Sequence, residues 1–170
     1  MLKNHLRLIC IFVIVASVFL TVYAGLHFRG AAGWSSGSLV AVADISGFGN
    51  NTGTVTVTLR AWGSGLTAFC QNRGGNLAPG QNPVNVNVST SQVARPDKNG
   101  SATVTFHVNL LPSTRAAGCP NGNWRVVDLI GTINASLEAV DSATGASDRQ
   151  DYVCQIHEAL QQVDCVLTSG

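Results

Sequence analysis

Beyond its first thirty positions, this chain alternates apolar and polar residues with period two. Thr54-Val55-Thr56-Val57-Thr58-Leu59-Arg60 is the clearest case. Its valines and Leu59 share one face and its threonines and Arg60 the other, the pattern of a half-buried β-strand. Val84, Val86 and Val88 likewise alternate with Asn85, Asn87 and Ser89, and Val104, Phe106 and Val108 share one face of the segment from Ala102 to Asn109. Leu39 to Ile45, Trp124 to Ile130, Thr132 to Val140 and Tyr152 to Ile156 complete the strand candidates, with Gly131 a bulge or bend between two of them. Gly47-Phe48-Gly49-Asn50-Asn51 and the segment from Asp141 to Asp148 are turns. Gly63-Ser64-Gly65 reads as a tight hairpin turn that sends the chain back along Leu66 to Cys70. Residues 71–83 and 111–123, rich in Gly, Pro and Asn, read as loops, and Glu158 to Gln162 as a helical turn or loop before a last segment, Val163 to Leu167. No segment sustains a longer 3.6-residue pattern. Seven or eight short strands between turn signals predict an all-β protein, an antiparallel Ig-like β-sandwich, with a closed barrel as the alternative. "Ig-like" is meant as architecture only, because no tryptophan lies between Cys70 and Cys119, where antibody domains place their core tryptophan.

The N-terminus follows different rules. Lys3 and Arg7 precede a run from Leu8 to Val22 that is apolar or small except at Ser17 and Thr21, and Val22-Tyr23-Ala24 ends it with a signal-peptidase-like site. Residues 1–24 are therefore expected to form a separate apolar helix, a signal peptide removed on export. The alternative is an uncleaved anchor that touches the membrane through residues 8–26, close to the length that spans a bilayer. Residues 25–37 are expected to be a flexible lead-in, and 38–170 a single domain.

Without its first 24 residues the chain carries eight Lys and Arg against nine Asp and Glu, with no block of one sign. That balance excludes the basic footprint of a nucleic-acid partner or of a polybasic membrane-surface patch. The same region holds four cysteines, Cys70, Cys119, Cys154 and Cys165, which in an exported chain read as two disulfides. Of the three possible pairings we favour Cys70–Cys119 with Cys154–Cys165, since the last two bracket a short segment able to fold back on itself. A four-thiolate zinc site would need close cysteine pairs, which this spacing lacks, and no metal or other cofactor is expected.

Cys70-Gln71-Asn72-Arg73-Gly74-Gly75-Asn76 with Pro79-Gly80-Gln81-Asn82-Pro83, followed by Cys119-Pro120-Asn121-Gly122-Asn123-Trp124, resembles a pattern in uncharacterised secreted bacterial β-sandwich proteins. These have a cysteine before an Asn/Gly-Gly-Asn loop, a glycine-punctuated strand pair and a later Cys-Pro. The resemblance covers residues 53–140 and implies no activity. It implies that Cys70 pairs with Cys119 and that both loops sit at one end of the domain. Residues 151–170 lie outside the pattern.

The candidate chemistry is sparse. No G-x-S-x-G or H-E-x-x-H occurs. His107 should face solvent, opposite Phe106 and Val108, and His27 lies in the lead-in. Asp97-Lys98-Asn99-Gly100 lacks the closing glutamate of a calcium loop and reads as a β-hairpin turn. Asn50, Asn87, Asn99 and Asn134 head N-x-S/T sequons. The loops 71–83 and 112–123 carry the functional expectation. Held by a disulfide on a rigid scaffold, Arg73, Asn76, Gln81, Asn121 and Trp124 could offer hydrogen bonds and a stacking face to a carbohydrate or a cell-surface protein. The opposing reading, which we favour, is that these loops only connect strands and that Gly74-Gly75 supplies positive φ. The sequence thus predicts a secreted or surface-exposed, non-enzymatic binding or structural domain. A secreted hydrolase or inhibitor with a site assembled only in three dimensions, around His157, Glu158 and an aspartate, is the alternative.

Overall fold

A computed structural model describes residues 26–28, 33–35, 38–47, 53–157 and 163–170. Among the described residues ten strands run in chain order: β1 Leu26–Phe28, β2 Gly33–Ser35, β3 Ser38–Ile45, β4 Val55–Asn72, β5 Leu77–Pro79, β6 Val84–Ala94, β7 Ala102–Asn109, β8 Trp124–Asp141, β9 Ser147–Ile156 and β10 Val163–Ser169. One short helix, α1 Thr114–Ala117, interrupts them. The expected N-terminal helix and the segment from Glu158 to Gln162 lie outside the described residues. The stretch expected to be a lead-in carries β1 and β2, both paired with β3.

All pairings among the described strands are antiparallel and form two sheets. In the smaller, β3 pairs with β1, β2 and β7. In the larger, the order is β10-β9-β8-β4, and β4 then pairs with β6 along its first part and β5 near its end. Both sheets feed one buried cluster, because each strand turns its apolar phase inward. In the smaller sheet Leu39, Ala41, Ala43 and Ile45 lie directly opposite Val108, Phe106, Val104 and Ala102. The small Ala41 faces the large Phe106, so the ring fits without displacing its neighbour strand. Tyr152 also points inward from β9, its hydroxyl donating to Gln150 Oε1 at 2.6 Å.

Three sequence expectations change here. Gly63-Ser64-Gly65 is not a hairpin turn: β4 runs straight through it as one 18-residue strand, because β6 and β8 pair with it on both flanks. The glycines instead mark a β-bulge, where the register shifts between Gly63 and Leu66 against β6 and between Trp62 and Thr67 against β8. Buried positions are odd-numbered before it (Val55, Val57, Leu59, Ala61) and even-numbered after it (Leu66, Ala68, Cys70), so the bulge's extra residue keeps the apolar face inward. Trp124 to Val140 is likewise one strand, with Gly131 at φ 138° facing Leu66. The turn at Asp97–Gly100 is a corner between sheets and not a hairpin, since β6 pairs with β4 and β7 with β3. Asp97 Oδ1 organises it by accepting from the backbone N–H of Asn99 and Ser101 at 2.8 and 3.0 Å.

Burial pushes the Tyr152 phenol up to about 12, against an ordinary value of about 10. Between those values the unfolded chain releases this proton and the folded one keeps it, so stability falls as pH rises. Thermal melting should therefore be insensitive to Tyr152 at neutral pH and decline from about pH 10. Tyr152→Phe should flatten that alkaline limb; an unchanged limb would show that another group causes it.

Candidate functional site

Both disulfides form as favoured, Cys70–Cys119 and Cys154–Cys165. Their sulfurs are therefore not available as thiolate ligands, and among the described residues no group of three or more His, Cys, Asp or Glu converges as a metal site.

The first disulfide brings the two expected loops to one end of the domain, and main-chain hydrogen bonds then lock them together. Gln81 N–H donates to Gly118 O and Asn82 N–H to Ala117 O, both at 3.2 Å, while Gly80 N–H ties its loop back to β4 by donating to Ala68 O at 2.7 Å. Helix α1 is capped by Ser113, whose Oγ accepts from Ala116 N–H at 3.2 Å, and ended by Gly118 at φ 65°. Gly80 passes so close that a Cβ there would collide with the carbonyl oxygen of Ala117. At this end the amides largely serve the chain itself. Asn121 Oδ1 accepts from Asn123 N–H at 3.0 Å, and its carbonyl from Trp124 N–H at 3.2 Å. Asn76 donates its backbone N–H to Asn72 Oδ1 at 3.0 Å. Arg73 and Gln81 are exposed, and Trp124 is half-buried opposite Asn72. The five expected residues therefore share one end of the fold, where the Asn121 side chain shapes one turn and that of Asn72, bound to the Asn76 N–H, shapes the other.

The β4 bulge produces a different feature. Where the ladder to β8 breaks, an open groove of about 530 Å³ lies on the outer face of the larger sheet, lined by Trp62, Gly63, Ser64, Val86, Asn87, Thr132 and Asn134. None of the five loop residues lines it. Trp62 is 38% exposed. It stands directly between Asn87 on β6 and Asn134 on β8. Neither asparagine side chain hydrogen-bonds to another described residue. Gly63 lets β8 approach closely: a Cβ there would come within 2.9 Å of both Thr132 O and the buried Ile133 Cγ2. From Asn134 the same cross-strand row continues through Val153, 39% exposed, to Val166 at 68%. One row along, Arg60, Ser136 and Asp151 lie side by side, with Asp151 held by Arg149 at 2.8 Å. The Arg149 guanidinium lowers the Asp151 carboxyl below its ordinary range.

The alternative catalytic cluster is only partly visible. His157 Nε2 lies 3.2 Å from Asp164 Oδ2, and both side chains are about half exposed, at 43% and 54%. Glu158 lies outside the described residues.

Sequence reasoning missed the groove because its residues come from positions 62–64, 86–87 and 132–134. One signal was available. The outward phase of Thr56, Thr58 and Arg60 places Trp62 on the polar face, where a large aromatic is out of pattern.

No protein-family model matches this chain, and no curated protein matches it in sequence.

Proposed function

We propose that this is a secreted or surface-exposed, non-enzymatic binding domain, an Ig-like β-sandwich that holds its ligand in the Trp62 groove. The observation that carries the reading is an exposed indole set between two side-chain amides that no other described residue engages. Large aromatics with a few placed polar groups are the usual lining of ligand sites, and a strand-borne tryptophan loses little entropy on binding. Two stacked sheets joined by a corner turn and sharing one core support the sandwich. Export is supported by the N-terminal charged and apolar pattern and by two disulfides, which persist in oxidising compartments. A non-enzymatic role is supported by the groove's lining, which includes no ionisable side chain to act as acid or base. The resemblance to secreted bacterial β-sandwich proteins supports export and the sandwich and is silent on activity.

The test is a binding screen of the exported protein against glycans, cell-wall fractions and surface proteins. Trp62→Ala should abolish the binding found, while the double variant Arg73→Ala, Trp124→Ala should keep it. The reverse outcome would place the ligand at the loop end. Binding to no partner would leave the domain a structural element.

A further inference from the structure

The lining of the groove narrows the ligand. We infer that the Trp62 groove takes an uncharged carbohydrate chain, laid across the strands along the row Asn87, Trp62, Asn134, Val153 and Val166. This rests on the groove being the ligand site.

Three features select this chemistry. First, the groove offers one indole face and no charged lining. An ionic ligand would give up hydration there without a counter-charge. The charged groups on the neighbouring rows are already partnered or lie off the groove: Arg60 and Asp151 flank the row on one side, with Asp151 held by Arg149, and Asp164 lies on the other, 3.2 Å from His157 Nε2 at the far β10 end. Second, Asn87 and Asn134 each present an acceptor oxygen and a donor NH₂. Groups that both donate and accept match sugar hydroxyls, which do the same. Ser64 and Thr132 add hydroxyls to the same rim, and Thr132 Oγ already donates to Gln155 Oε1 at 2.7 Å, which leaves its lone pairs to accept. Third, the apolar C–H face of a pyranose is flat and fits an aromatic plane set between two polar neighbours. A peptide would be held instead by a sheet edge or by deep side-chain pockets, and this groove is open and lies in the interior of the sheet, between β6 and β8.

The row also has length. Five neighbouring strands at about 4.8 Å spacing extend roughly 19 Å, enough for several linked sugar units. Beyond Asn134 the exposed Val153 and Val166 offer apolar contact for further C–H faces.

The exported protein should be titrated with neutral oligosaccharides (cello-, xylo-, manno- and chito-hexaose), with polygalacturonate and hyaluronan as acidic counterparts, and with a mixed peptide library. Tryptophan emission and calorimetry provide the readouts. A neutral oligosaccharide should bind with little dependence on salt. Trp62→Ala should weaken it by about thirty-fold or more, as loss of a tryptophan anchor commonly does. Trp62→Tyr should retain most of the affinity, and Asn87→Ala and Asn134→Ala should each lose several-fold. Since Trp62, Asn87 and Asn134 face outward, circular dichroism and melting should match the parent protein, and Trp62→Tyr keeps the test informative if the alanine variant folds poorly. Trp62-dependent binding of only an acidic glycan or a peptide would overturn the carbohydrate assignment and leave the groove as the ligand site. If neutral sugars bind and Trp62→Ala is indistinguishable from the parent, both the assignment and the groove fall.

Discussion

Phe106→Ala should cost about 3–5 kcal/mol of folding stability, the usual range for emptying a buried phenylalanine site. Among the described residues Phe106 is the largest of the fully buried side chains, and it sits on β7, in the narrower sheet. That sheet is joined to the larger one mainly through its inward face, since β7 pairs only with β3 among the described strands. Its neighbours cannot refill the space, because the residue directly opposite is Ala41 and the next inward residue on β3 is Ala43. Such a loss is a large share of the about 5–15 kcal/mol that holds most domains folded. Urea unfolding followed by circular dichroism reads it directly. A loss below about 1 kcal/mol, the level of ordinary surface changes, would mean that the two sheets do not share a core.

Replacing the cysteines in pairs by serine should separate the two disulfides by their loop lengths. Cys70 and Cys119 are 49 residues apart, Cys154 and Cys165 only 11. Chain entropy alone then gives about 4 kcal/mol for the first and about 3 kcal/mol for the second. The first should exceed its entropic share. Without it, the hydrogen bonds of Gln81 and Asn82 to the carbonyls of Gly118, Ala117 and Ala116 are the main hold between the two loops. Denaturant midpoints of the two double variants test the order. A larger loss from Cys154→Ser with Cys165→Ser would show that β10 contributes more to stability than the loop end.

The sequence made the strands legible wherever one face is buried and the other wet. The alternation from Ala102 to Asn109 coincides with β7, and the inward set Ile133, Ala135, Leu137 and Ala139 is the one observed. Gly131 read correctly as an irregularity. Gly63-Ser64-Gly65 failed because glycine punctuates both turns and bulges, and local chemistry does not distinguish them. The decision was made by β6 and β8, whose ladders hold both flanks of β4 in line. The corner at Asp97–Gly100 failed for a related reason. Its local hydrogen bonding is that of a tight turn, while the pairing of the strands it joins depends on residues far away. The loop end was legible as a place, since two cysteines and two glycine-rich segments point to it. Its chemistry was not: an asparagine that caps a turn and one that meets a ligand look alike in sequence. The Trp62 groove required register, which only the sheet supplies.

Each disulfide joins two cysteines that are consecutive along the chain after Cys10. For a polypeptide threaded through a membrane N-terminus first, Cys119 is the first available partner for Cys70, and Cys165 the first for Cys154. An oxidase acting in order of emergence would thus make both native bonds directly, with no wrong pair for an isomerase to undo. The first bond can also close before most of β8 has emerged, so the loop end is tied before the long central pairing of β4 with β8 begins. Pairings between such distant segments are slow to find, and a cross-link made early shortens that search.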